Sequence, residues 1–227
     1  MFFSQAQEYI AKAATLISQR RLEGASVILM DALRSLQEAK FATSPTNTPQ
    51  VADIVALPVS EGRIACCRWD EQFFVSPLAV FHQLPRPAYS NFNTLMTEQV
   101  GLVCAATCLY LMGLANHLRA HKTNQNCEDS LRTSSLFYGH AWMTLKKLTS
   151  SDDEMGGLQF LRMAICSNLA HAMHQTGEVS AANAWLVALQ DVLKATQLDQ
   201  DEVSCEIYEF FLLTSTVNTG FVAAGAA

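Results

Sequence analysis

The residues with the most chemistry to offer are three histidines, His117, His171 and His174. Imidazole is a common zinc ligand and titrates near neutral pH. His171 and His174 stand three apart, so a helix would put them on one face. No carboxylate or cysteine lies near them at a convincing ligand spacing. The spacing therefore predicts polar or hydrogen-bonded histidines and no bound metal. The acidic run Asp152-Asp153-Glu154 reads as a solvated loop and helix cap, and Gly156-Gly157 has no strand before it. Gly-rich phosphate loops, GxSxG, HExxH and Cys/His pairs are missing from the sequence. The expectation is a protein with no catalytic residues and no cofactor, with an enzyme as the third-ranked reading.

Seven cysteines (Cys66, Cys67, Cys104, Cys108, Cys127, Cys166 and Cys205) form an odd set without CxxC, which points to reduced thiols in the cytoplasm or nucleus. The first residues, MFFSQAQEYIAKAATLISQRR, lack the charged start and apolar run of a secretory signal. They are amphipathic, so an organelle transit peptide is the alternative to a structural helix, which Glu8 favours. Net charge is −6 with no basic run, against binding to nucleic acid or to an anionic membrane surface. Half of the 227 residues are hydrophobic, enough for one substantial core.

The histidines need helices to position them, and the periodicity supplies these. Leu158, Leu161, Ile165, Leu169 and Met173 line one helical face. Gly177 can take the left-handed conformation of a helix stop, and Glu178 suits the start of the next helix. Ala182, Trp185, Leu186, Leu189 and Leu193 make the second face. Ala170 and Ala182, twelve residues apart, allow close approach of the two helices. Over residues 5–38 the series Ala13, Ala25, Leu29, Ala32 has the same spacing, with Gln19-Arg20-Arg21 at the turn. In the middle of the chain, Leu95 to Arg119 reads as one long helix, apolar nearly all round from Val100 to Ala115 and hence buried on several sides. Its partner, Leu131 to Lys147, carries Ser134, Tyr138 and Ala141. Gly113 and Ser134 are 21 residues apart, so the turn between these helices is expected to be about nine residues longer, through the polar stretch KTNQNCEDS.

This small–small–large–small spacing resembles the tetratricopeptide repeat (TPR), and Asn168-Leu169-Ala170 is similar to that family's helix A core. The resemblance implies helix pairs stacked into a superhelix, with the exposed side of each first helix lining a concave groove. On that basis Tyr110, Leu114, His117, Ser167, His171 and His174 face a groove suited to an extended peptide or a partner helix. His, Ser and Leu at these positions differ from the Lys and Asn carboxylate clamp of chaperone-binding members. A second resemblance spans nearly the whole chain. FVSPL, LYLMGLANHLRA, SSLFYGHAW, ICSNLAHAMHQTGE and the closing EFFLL segment with its alanine-rich tail resemble an uncharacterised, multi-copy TPR-like group of unicellular algae. It implies fold and no activity.

The two regions outside the repeats are less regular. Within residues 41–92, IVAL, RIACCRW and QFFVSPLAVF are short apolar runs between prolines, readable as a hairpin of Arg63–Trp69 with Phe73–Phe81 or as an ordered irregular loop. Either this insert or the C-terminal segment could fill the groove. CEIYEFFLLTSTV, within 203–227, is assigned as a strand or tail. The expected organisation is one mainly α domain, a TPR-like α–α superhelix of about three helix pairs. Residues 1–40 form the first pair, 41–92 the insert with a small β-hairpin or irregular structure, 93–148 the second pair and 155–197 the third. The expected function is a scaffold or adaptor for a protein partner. A structural subunit of an assembly or homo-oligomer is the alternative, favoured by the high apolar fraction.

Overall fold

A computed structural model of the chain describes residues 2–41, 73, 92–122, 127–148, 156–196 and 208–215. The elements are α1 (Phe2–Ser18), α2 (Leu22–Phe41), α3 (Phe92–Lys122), α4 (Cys127–Leu145), α5 (Gly156–Gln175) and α6 (Val179–Ala195), with a two-turn helix α7 at residues 208–215. The fold is mainly α, and no strand occurs among the described residues.

Helices pair in chain order, α1 with α2, α3 with α4 and α5 with α6. Each pair then joins the next: α2 touches α3, and α4 touches α5. The odd-numbered helices also meet, α1 with α3 and α3 with α5, whereas α2 and α4, and α4 and α6, make no contact. The odd helices thus form an inner layer and the even ones an outer layer.

The small residues sit where the helices cross. Ala13, Ala25, Leu29 and Ala32 are fully buried, as are Ser134, Tyr138 and Ala141, and Ala170, Ala182 and Leu189 are nearly so. Ser134 Oγ donates to the Gly113 carbonyl at 2.9 Å across the α3–α4 contact. A Cβ built on Gly113 would come within 2.7 Å of the Tyr138 ring, so glycine is what permits this approach. Helix α3 is the central element: Val103, Cys104, Ala106, Cys108, Tyr110, Leu111, Leu114 and Leu118 are all buried. Residues Gln99–Lys122 are long and apolar enough to cross a membrane, but most of that stretch is buried by the chain's own helices.

Two expectations change. The connection between α3 and α4 is not a nine-residue extension of the turn. Helix α3 continues through Lys122 and α4 begins at Cys127, so most of KTNQNCEDS is helical. Lys122, Glu128 and Asp129 are exposed there, where polarity and helix are compatible. The C-terminal segment is helix over 208–215, not strand. Phe211 and Ser215 are buried while Leu212 and Leu213 are exposed, a burial pattern with helical rather than alternating period. Tyr208 Oη donates to the Leu193 carbonyl (3.4 Å), tying α7 to the end of α6. The hairpin within 41–92 and the loop Thr149–Glu154 lie outside the described residues, Phe73 excepted.

Candidate functional site

Past the Gly113 crossing, α3 carries His117 and, one turn on, His121. An i, i+4 pair shares a helix face. Helix α5 brings His171 to the same place. His117 Nε2 lies 2.9 Å from His171 Nδ1, and His117 Nδ1 lies 3.3 Å from Tyr138 Oη on α4. Asn168, one turn before His171 on α5, donates its Nδ2–H to the same Tyr138 oxygen at 3.2 Å. Three helices are therefore cross-linked through one phenol and two imidazoles.

Phe73, the described residue of the insert, covers this cluster. Its ring lies flat on His117 (centroids 3.9 Å apart, planes at 10°) and nearly flat on His121 (4.8 Å, 24°). It also meets His171 at 5.1 Å. Phe73 is 3% exposed and belongs to the main core. Behind the histidines, Ala120, Leu131 and Ala172 form a small apolar cluster between α3, α4 and α5.

Burial sets the electrostatics. His117 is fully buried, and desolvation, with His171 and His121 nearby, holds its pKa well below the usual histidine value. Desolvation, then His121 and His174, lowers His171 to about 3. Both imidazoles are neutral at pH 7, so each offers one N–H donor and one lone pair. Burial raises the Tyr110 and Tyr138 hydroxyls, which stay protonated. It also raises the Cys104 and Cys166 thiols to about 12, and Cys108 rises for the same reason. None of these is a poised nucleophile, because the thiolate is the reactive form.

The expected groove residues fall in different places. His117 and His171 are brought into direct contact. Tyr110 is buried with its ring 5.9 Å from that of Tyr138. Leu114 and Ser167 are buried as well, and Ser167 Oγ has no hydrogen-bond partner. His174 is exposed and outside the cluster. Four of the six, Tyr110, Leu114, His117 and Ser167, thus lie in the interior and not on an open groove. The physical reason is that the inner layer is already covered, with Phe73 seated over its histidine end.

Two residues of the cluster escape the sequence reading. His121 had a signal, the HxxxH spacing with His117, although it stands two residues past the expected helix end at Arg119. Phe73 had none, because its approach depends on how the insert returns to the core. The ring nitrogens of His117, His121 and His171 all lie within 4.8 Å of one another, a grouping able to hold a metal ion. Compared with protein-family models, curated proteins and solved structures, the chain matches none.

Proposed function

We infer that the chain is a protein-binding scaffold built as a TPR-like helical repeat. The observation that carries this reading is the contact order of the helices. Hairpins succeed one another along the chain, the odd helices touch and the even helices do not. Each hairpin closes on small residues, Ala13 with Ala25, Gly113 with Ser134 and Ala170 with Ala182. Such arrays present extended surfaces to partners. The partner is a protein rather than nucleic acid, given the net charge of −6. A cytoplasmic, non-enzymatic adaptor fits this composition.

With much of the inner layer buried, the available apolar surface lies outside. Val27 and Met30 on α2, Leu136 and Met143 on α4, and Val179 and Val187 on α6 are all more than half exposed. On α4 and α6 the spacings of seven and eight residues align each pair on one face. These residues also favour the alternative reading, a subunit whose outer face is buried permanently in an assembly.

Light scattering after size exclusion, on the reduced chain and on Leu136→Asp/Met143→Asp, separates the two. A monomer in both forms, with photocrosslinking from position 140, exposed on the same helix, to one partner that is lost in the double variant, supports the scaffold. An oligomer that the double variant dissociates supports the subunit. A monomer that crosslinks to no partner overturns both.

A further inference from the structure

Three imidazoles from two helices converge beneath Phe73. The His117–His171 contact satisfies one ring nitrogen of each. His121 adds a third ring nitrogen within 4.8 Å of the other two. We propose that His117, His121 and His171 form a binding site for a divalent first-row transition cation of the zinc type, leaving one coordination position for water or a ligand.

The geometry is close to what such an ion needs. Tetrahedral coordination with metal–nitrogen bonds of about 2.0–2.1 Å places neighbouring nitrogens about 3.3 Å apart. His117 Nε2 and His171 Nδ1 stand at 2.9 Å, so a few tenths of an ångström of opening admits the ion between them. His121 is the exposed member of the cluster, and its ring nitrogen lies within 4.8 Å of the other two.

The surrounding groups suit the task. Tyr138 Oη accepts from His117 Nδ1–H in the tautomer that turns the Nε2 lone pair toward the site. A partner on the far nitrogen is the usual way a ligating histidine is oriented. Asn168 holds that phenol in place from α5. On binding, the His171 proton moves from Nδ1 to Nε2, freeing the Nδ1 lone pair, so no net proton is released. Phe73 stacks on the ring faces, and a metal bonds in the ring plane, so the phenyl covers the site without blocking its nitrogens. An all-imidazole set favours zinc, copper, nickel or cobalt over magnesium and calcium, which prefer oxygen.

The test uses the full-length, tag-free chain stripped with chelator and titrated with Co²⁺, followed by its visible absorption. The expected result is one Co²⁺ per chain, with the intense bands of four-coordinate cobalt, bleached by Zn²⁺. His121→Ala, at an exposed position, keeps the fold by circular dichroism and weakens binding by about tenfold or more. His174→Ala, outside the cluster, leaves the affinity unchanged. Absence of saturable Co²⁺ uptake, or uptake indifferent to His121→Ala, would overturn the proposal and leave a hydrogen-bonded packing cluster.

Discussion

The short hairpins and the long hairpin of this protein follow one plan with one difference. In α1–α2 and α5–α6 the crossing residue of the first helix, Ala13 or Ala170, stands five residues before the helix end. That of the second, Ala25 or Ala182, stands three residues after the helix start. Both turns use the same device. Arg20 and Gly177 have positive φ (59° and 82°), and the following residue donates its N–H to a carbonyl five back, Leu16 or Met173. This is a Schellman closure. In α3–α4 the corresponding distances are nine residues and seven. Of the nine residues that separate an interval of 21 from one of 12, four lengthen α3, four lengthen α4 and one lengthens the connection.

One added helical turn on each arm, about 6 Å, leaves the crossing unchanged and extends the inner face beyond it. His121 lies on the added turn of α3. The lesson is that a repeat can gain a polar site by lengthening a hairpin past its crossing, without disturbing the small residues that define the packing.

The largest expected effect tests the crossing itself. Gly113→Leu drives a side chain into the Tyr138 ring, and overpacking of this kind costs about 3 kcal/mol. Equilibrium urea unfolding reads it, and an unchanged midpoint would mean that α3 and α4 do not approach as described.

Acidification tests the histidine contact between the long hairpin and α5. In the folded protein the pKa values of His117 and His171 are depressed below the unfolded value of 6.5. The unfolded chain therefore binds protons first as pH falls. Stability is full above pH 6.5 and declines as pH drops toward 3, by about 2 kcal/mol at pH 5 from His171 alone. Unfolding in chelator at pH 7.5 and 5 measures this, and hydrogen exchange should loosen α3 and α5 before α1 and α2. Equal loosening everywhere would remove the distinction between the hairpins.

Tyr138→Phe is smaller. It deletes the oxygen that receives Asn168 and contacts His117, and stranding buried donors costs about 1.5 kcal/mol. Thermal unfolding of this variant beside the wild type measures the network apart from the ring packing, which phenylalanine retains.

The smallest effects compare the two short turns. Gly177→Ala places a side chain at positive φ and costs about 1 kcal/mol. Arg20→Gly relieves the same strain but loosens the unfolded chain, for a net gain of a few tenths of a kcal/mol. If the two changes shift the melting temperature in the same direction, the turns are not equivalent.

Much of the helical plan is visible in the sequence because it is local. The three-to-four-residue periodicity of α5 and α6, the stop at Gly177 and the small-residue spacings are set within one or two helices. Composition misled at KTNQNCEDS, where Lys122, Glu128 and Asp129 belong to the exposed faces of two lengthened helices. It misled again at 208–215, where Phe and Leu in sequence suited strand and helix alike until Phe211 and Ser215 were found buried together. At the site, the helical register points His117 and His171 toward a binding groove and does not foretell their mutual contact. His174 was grouped with them because it shares a helical face with His171, yet it remains exposed.

The sequence by itself determined the secondary structure and the crossing points, since hydrophobic period, glycine and small residues act over a few ångströms of their own chain. Only the tertiary structure decided which histidines meet. His121 joins His117 and His171 because α3 runs one turn further past its crossing than α1 and α5 do and packs beside α5, and Phe73 joins them from a distant part of the chain. Such meetings depend on the relative placement of whole elements, which burial of the common core sets and no local pattern encodes.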